Sequence, residues 1–432
     1  MNWEQTYRAK ICTADEAVRA IKSHDRIFMT GNCSVPKELL GALVRRAPEL
    51  EEVEIVQVLT IGPAEYVAPE MEGHIRVNSL FISDNVRRAV NEGRANFTPI
   101  LLSQIPQALR DPKLLRPDVA MIHCSPPDEH GFCTYGVEVG LTKPAAESAR
   151  IVIAEVNDRM PRSLGDCFVH VSRLTHIVPT SYQVVEVPMG APGELQKRIA
   201  SHIADLIPDG ATIQMGIGEI PDAVLLYLED KRDLGVHTEL FSDGIIDLIE
   251  SGVVTNAAKT IHRGKVISGF AIGSQRLYDY MDNNPMFEFH PQDYVNDPFV
   301  IAQNAKQVAL NSALEIDLTG QVCADSIGTV FYSGVGGQLD FIYGASRSSG
   351  GVPIIALPAT AKDGQVSRIV PMLRQGAGVV TTRNHVHYVV TEYGVADLFA
   401  KTIRQRVREL IAVAAPQFRA ELSAFAKKQC WI

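Results

Sequence analysis

Glu239 is an acid in an awkward place. In "GVHTELFSDGIIDLIESG" (235–252) it stands between the small polar pair His237-Thr238 and the apolar pair Leu240-Phe241, ahead of a Ser-Asp-Gly turn and an amphipathic helix. A carboxylate at the end of what reads as a buried strand is costly unless something pairs or uses it. A partly desolvated carboxylate can attack a carbonyl carbon and carry the acyl group covalently. Such chemistry also needs fixed donors for the oxyanion of the tetrahedral intermediate. Two glycine-rich stretches offer backbone N–H groups. "QMGIGEIPDAV" (214–224) puts Gly216 and Gly218 at a strand-to-helix turn, where a ligand can approach the backbone and a helix N-terminus favours an anion. "GVGGQLDF" (334–341) has three glycines in four residues, a loop suited to an oxyanion or phosphate or, more plainly, a hairpin.

Other chemistry-bearing residues read less sharply. "HCSPPDEHGFC" (123–133) holds His123, Cys124, His130 and Cys133 with two acids, but no pair has zinc-ligand spacing, so it reads as structure. Thr391-Glu392 in "VVTEYGVADL" is a second Thr-Glu pair, read as part of the repeated fold. Lys362 in "ATAKDG" follows a strand end and is either a solvated loop lysine or a contact for a phosphate or thioester. The third glycine of a dinucleotide fingerprint is replaced by Ile220-Pro221, no Gly-Lys-Ser/Thr follows for a P-loop, and no Gly-x-Ser-x-Gly elbow is present.

These residues must be carried by an α/β scaffold. "RIFMTG", "VEIVQVLT", "VAMIHC", "RIVIAEV", "TIQMGIG", "KVISGFAIG" and "VPIIALP" read as buried strands. "VPKELLGALVRRA", "LQKRIASHIADLI", "PDAVLLYLED", "GIIDLIESG" and "RQRVRELIAVA" read as amphipathic helices. Their alternation predicts a largely parallel sheet. The chain also resembles itself. Gly31 and Pro36 lead to Leu39-Leu40 as Gly216 and Pro221 lead to Val224-Leu225. Val119-Ala120 leads to Asp128 and Gly131 as Val308-Ala309 leads to Asp317 and Gly320. "HIVPT" (176–180) echoes "HYVVT" (387–391). The same order three times predicts two tandem, similar open α/β domains, 1–190 and 191–432, joined near "VPMGAPGEL". The carboxyl ends of their strands, facing between the halves, are the natural cleft. The second copy is longer after Gly320, where "YSGVGGQLDFIYGASRSSGG" is inserted.

The bulk numbers exclude several classes. The chain has 432 residues, 46% hydrophobic and 21% charged, with a formal net charge of −9. That balance argues against nucleic acid and gives no polybasic membrane segment. No apolar run is long enough for a transmembrane helix, and "MNWEQTYRAKICTADEAV" does not read as a signal peptide. Seven scattered cysteines suggest reduced thiols and a cytoplasmic protein.

Across nearly its whole length the chain resembles the family I coenzyme A transferases, in the acetyl-CoA hydrolase/transferase branch that includes 4-hydroxybutyrate and butyrate:acetate CoA-transferases. The resemblance rests on "NVRRAVNEGRANFTPILLSQIP", "SPPDEHGFC", "QMGIGEIPDAV", "HTELFSDGIIDLIESG", "VNDPFVIAQN", "NSALEIDLTGQV", "GVGGQLDF", "IIALPATAKDGQVSRIVP" and "VHYVVTEYGVADL". It implies a duplicated CoA-transferase fold and a nucleophile at Glu239. It implies CoA contacts at Gln214, Met215, Gly216, Ile217 and Gly218, at Gly334, Val335, Gly336 and Gly337, near Asn311 and Leu314, and at Lys362. Asn32-Cys33-Ser34 in "GNCSVP" fall where the first domain would face the site, with no acyl-pocket role carried over. The implied reaction passes CoA from a short-chain acyl-CoA to a free carboxylate through a glutamyl-CoA thioester. CoA would be substrate and covalent intermediate, with no resident cofactor or metal, in a homodimer or higher homo-oligomer. Two rivals stand beside it: a thioester hydrolase on the same fold, and a non-catalytic or nucleotide-binding α/β protein.

Overall fold

The structure is a computed structural model, and it describes residues 2–432. It is a mixed α/β protein with two largely parallel sheets. In the first, seven strands lie side by side in the order Asn96–Phe97, Ile75–Phe81, Val53–Val58, Arg26–Met29, Val119–Cys124, Ile151–Asn157 and His176–Thr180. In the second, the order is Gly235–Val236, Thr212–Met215, Gln307–Ser312, Val352–Ala356, Tyr388–Thr391 and Gly394–Asp397, the last pairing antiparallel. The strands are runs of apolar, often β-branched residues buried on both faces, which is what helix-covered parallel sheets require. Val119–Cys124 is buried at every position.

The duplication is visible in the strand orders. Val53–Val58, Arg26–Met29, Val119–Cys124, Ile151–Asn157 and His176–Thr180 follow one another as do Gly235–Val236, Thr212–Met215, Gln307–Ser312, Val352–Ala356 and Tyr388–Thr391. Even a turn is repeated atom for atom. Asp128 Oδ1 accepts from the N–H groups of His130 and Phe132, and Asp317 Oδ1 accepts from those of Thr319 and Gln321. In each case a glycine with positive φ, Gly131 at 84° and Gly320 at 98°, closes the turn. That conformation is one only glycine adopts without strain.

The chain divides into two compact units that are not the contiguous halves 1–190 and 191–432 expected. One is Met1–Pro188 with Ile267–Val295, the other Met189–Val266 with Asn296–Ile432. The excursion has a backbone cause. Phe270 bridges Glu138, Ala271 N–H donates to Val137 O, Phe289 bridges Gly165, and Gln292 N–H donates to Gly140 O. "KVISGFAIG" is accordingly not one strand of a main sheet. It breaks into Val266–Ser268 and Phe270–Ala271 around Gly269, where the Gln292 side chain takes the space of a Cβ.

The helices that begin at the glycine turns carry the apolar faces their spacing predicts. Lys37–Arg46 buries Leu39, Leu40, Ala42 and Leu43 against the first sheet. Glu219–Leu226 buries Ile220 through Leu225 and starts two residues before Pro221, at Glu219, with Gly218 as its N-cap. "GVGGQLDF" is no hairpin but the entry to a ten-residue helix, Gln338–Arg347. No described helix is long and apolar enough to cross a membrane.

Candidate active site

Glu239 is delivered by a short strand pinned to its neighbour. Gly235–Val236 runs parallel to Thr212–Met215, and His237 N–H extends the pairing to Ile213 O. The Thr238 hydroxyl lies 2.7 Å from Leu240 O and 3.2 Å from Met215 O, so one side-chain group ties both flanks of the turn. Glu239 thus leaves the sheet at its carboxyl edge, level with the exit of Thr212–Met215 into Gly216.

The carboxylate meets three groups from elsewhere in the same unit. Asn296 Nδ2 donates to Oε2 at 2.9 Å, and the Gly337 N–H also donates to the carboxylate. Gly337 is the cap residue of helix Gln338–Arg347, so the acid faces the positive end of a helix dipole. Any side chain at Gly337 would force one of these groups to shift. A Cβ there would lie 1.9 Å from Glu239 Oε2 and 2.2 Å from Asn296 Nδ2. Asp340, buried in the first turn of that helix, is the third group, and it repels. Burial is the largest influence on the acid and pushes its pKa up to about 7. Asp340 pushes in the same direction, while the Asn296 and Gly337 hydrogen bonds pull back. The residue as a whole is of intermediate exposure, while its carboxyl group is enclosed.

The second glycine turn differs from its first-unit counterpart in what surrounds it. At Gly31 a Cβ would strike Val58 O at 2.0 Å, so packing alone demands glycine. At Gly216 the nearest atom would be 4.0 Å away, and at Gly218, where φ is +117°, nothing lies within 4 Å. Space beside Gly218 is therefore open to a ligand. Ile217 and Gly218 line a cavity of ≈ 210 Å³ with Gln196, Ser312, Ala313 and Arg368 among its other walls.

The remaining expected contacts distribute unevenly. Gln214 and Asn311 come together, Asn311 Nδ2 donating to Gln214 Oε1 at 3.1 Å. Met215 reaches the Glu239 turn through Thr238. Gly334, Val335 and Gly336 form the approach to Gly337, with Gly336 at a φ of +59°. Leu314 spends its N–H on Cys323 O. Lys362 sits exposed at the turn of the hairpin Thr360–Ala361/Val366–Ser367, with a φ of +50°.

Residues read as structural are occupied structurally. Thr391 donates its hydroxyl to Val413 O, and Glu392 Oε2 accepts the Ala359 N–H at 2.8 Å. In "HCSPPDEHGFC", Asp128 is taken up by its turn and by Arg162. His123 is fully buried, its pKa pushed down to about 3 chiefly by burial. Asn32, Cys33 and Ser34 are all buried in the first unit, where Asn32 adopts a φ of +53° and donates its N–H to Leu59 O. Sequence reading singled out neither Asn296, Asp340 nor Arg368. All three stand inside the family-like blocks, Asn296 in "VNDPFVIAQN", Asp340 in "GVGGQLDF" and Arg368 in "IIALPATAKDGQVSRIVP", but nothing in their spacing says that the first two converge on Glu239.

Known proteins resemble this chain along its full length. Residues 1–188 match the acetyl-CoA hydrolase/transferase N-terminal domain, and residues 273–426 the acetyl-CoA hydrolase/transferase C-terminal domain. The 4-hydroxybutyrate coenzyme A transferase of Clostridium kluyveri is 48% identical over 99% of this chain and 100% of its own. The butyryl-CoA:acetate CoA-transferase of Anaerostipes caccae is 38% identical over 100% of this chain and 99% of its own. Among solved structures, the M31G mutant of RipA superimposes with a TM-score of 0.96 at 38% identity, covering 100% of both chains. With both domain models matched and a relative this close spanning the whole length, the chain belongs to the acetyl-CoA hydrolase/transferase family.

Proposed function

We propose that this protein transfers coenzyme A between a short-chain acyl-CoA and a free carboxylate, of the 4-hydroxybutyrate, butyrate or acetate type, in a ping-pong cycle carried by Glu239. The observation that carries the reading is the setting of the Glu239 carboxylate. It is enclosed at the carboxyl edge of the second sheet, with Asn296 Nδ2 donating to Oε2 at 2.9 Å and the Gly337 N–H as a further donor to the same group. Relatives that act on 4-hydroxybutyrate and butyryl-CoA by name support the substrate range.

The proposed cycle begins at the thioester. A carboxylate oxygen of ionised Glu239 attacks the thioester carbonyl carbon, the C–S bond breaks, and CoA leaves as thiolate. The product on the protein is a mixed anhydride. The thiolate then attacks the Glu239 carbonyl carbon. Negative charge builds on the glutamyl carbonyl oxygen, the Asn296 amide and the Gly337 N–H already donate to this carboxyl group, and preorganised donors gain most where charge develops. The anhydride C–O bond breaks, the first acid leaves as carboxylate, and a glutamyl-CoA thioester remains. A second carboxylate reverses both steps and departs as the new acyl-CoA. The thioester bond energy is kept throughout, and no step calls for ATP or a redox partner.

Borohydride trapping tests the cycle. Protein incubated with butyryl-CoA and no acceptor acid should stall as the thioester, which borohydride reduces to an alcohol. Inactivation that depends on acyl-CoA, with the modified side chain in the peptide "GVHTELFSDG", is the expected result. Modification in "VVTEYGV" would move the nucleophile to Glu392. Steady CoA release without an acceptor, and no trapped peptide, would make the protein a hydrolase.

A further inference from the structure

The cavity beside Gly218 contains a cation with no assigned task. Arg368 reaches it from a segment fixed by its backbone, where Arg368 N–H donates to Ala359 O and its carbonyl accepts from Ile316 N–H. Among the described residues its guanidinium makes one long hydrogen bond, 3.4 Å to Ala313 O, and no ion pair. A guanidinium has five N–H donors in a planar fork, so most of this one's capacity is unspent. It is half-buried, and burial lowers its pKa, so the protein holds a partly desolvated cation beside empty space. Glu392 faces it, but one Glu392 oxygen is committed to Ala359 N–H; the cavity's own acid, Glu219, is exposed and held by Gln196.

The internal repeat shows what the corresponding place wants. In the first unit the strand Ile151–Asn157 aligns with Val352–Ala356, and the residue just past the aligned alanines is Glu155 in one and Leu357 in the other. Glu155 sends its carboxylate to the start of helix Lys37–Arg46, where Oε1 accepts the Leu39 N–H at 2.7 Å. The first copy therefore fills its helix-start anion position with its own side chain. In the second copy that residue is apolar, its neighbours Ala356 and Pro358 line the cavity instead, and an arginine has been added. An anion there must come from outside.

We propose that Arg368 holds a phosphate of the CoA tail in this cavity, against the open turn at Ile217-Gly218. The inference rests on the reading of Glu239 as a CoA-transferring residue. None of Glu239, Asn296, Gly337 or Asp340 lines the cavity, so its occupant is not the reacting carbonyl but a remote part of the same ligand. The remote part of a CoA thioester carries a pyrophosphate and a ribose phosphate, whereas a short acid joined to Glu239 has no remote anion. Arginine matches phosphate in two-point geometry, and helix-start amides add further donors.

The test compares two donors that share a reacting end, butyryl-CoA and butyryl-pantetheine, the second without phosphates. The readout is the ratio of their kcat/KM values. In Arg368→Gln that ratio should fall about tenfold to hundredfold, the loss expected for one charge-assisted hydrogen-bond pair. In Arg368→Lys, which keeps the charge and loses the fork, the fall should be smaller. The Kd for free CoA should rise with the same ranking. A variant merely damaged in its fold loses both substrates together and leaves the ratio where it was, and that result overturns the proposal. So does a rise in KM confined to the acceptor acid. If the wild type moves no CoA between acids, it is the reading of Glu239 that fails; if it does, and the ratio is unmoved in Arg368→Gln, only the Arg368 assignment fails.

Discussion

Replacing Gly337 with alanine isolates the geometry around Glu239, the proposed nucleophile. Gly337 has a φ of −99°, which alanine tolerates, so backbone strain is not the issue. The new methyl is. It would sit 1.9 Å from Glu239 Oε2 and 2.2 Å from Asn296 Nδ2, and real Cβ atoms essentially never approach within 3.0 Å of another heavy atom. One of the three groups must therefore move by about 1 Å or more. A displacement of that size at a reacting group costs about 100-fold in rate. Loss of the Gly337 or Asn296 donor from the forming oxyanion costs about 100- to 1000-fold. The two penalties arise from one movement and are not multiplied, so kcat for butyryl-CoA:acetate transfer should fall about 100- to 1000-fold. The methyl also overpacks a filled site, which costs about 1–3 kcal/mol of stability. Stopped-time assays of acetyl-CoA formation measure the rate, and thermal unfolding measures the stability. Asn296→Ala is the companion, since it removes a donor and adds no bulk; its kcat should fall by a similar factor with a smaller loss in Tm. A Gly337→Ala protein with turnover within a few-fold of wild type would refute the part proposed for this turn against Glu239.

Three further outcomes follow from the same structure. Glu239→Ala should abolish transfer. Glu392→Ala should keep the chemistry while losing about 1–3 kcal/mol in denaturant unfolding, because the buried Ala359 N–H loses its acceptor; comparable inactivation of both would undo the distinction between them. Because Glu239 must be ionised to attack and burial raises its pKa to about 7, kcat/KM for acyl-CoA should rise with pH through a midpoint near 7. The same shift carries a stability cost of the opposite pH sense. A carboxyl that binds its proton more tightly when folded favours the folded state at low pH, and that contribution is lost as pH rises from the ordinary carboxylate range through about 7. Glu239→Gln should flatten this part of the stability–pH curve, and an unchanged curve would refute the shift.

Much of this arrangement follows from local sequence. Strand and helix periodicity, the Gly31/Pro36 and Gly216/Pro221 turns, and the paired Asp-x-x-Gly loops depend on near neighbours, and each recurs in the strand orders of the two sheets. Glu239 stood out for the same reason: one charged residue closing an apolar strand is a local anomaly. What sequence could not supply was convergence. Asn296 lies 57 residues from Glu239 along the chain, and Gly337 is further still. No spacing rule marks an asparagine as the donor to a distant acid. Nor does any pattern show that "GVGGQLDF" opens a helix rather than a hairpin, or that 267–295 leaves the second unit to pair with Val137–Gly140. Those outcomes depend on which backbone donors and acceptors remain unpaired once the sheets have formed, and on whether the space beside a glycine is filled. At Gly31 it is filled by Val58 O, at Gly337 by the Glu239 and Asn296 side chains, and at Gly218 by nothing within 4 Å. The three read alike in the sequence, as glycines at turns, because what distinguishes them is the set of atoms that only tertiary packing brings within a few ångströms.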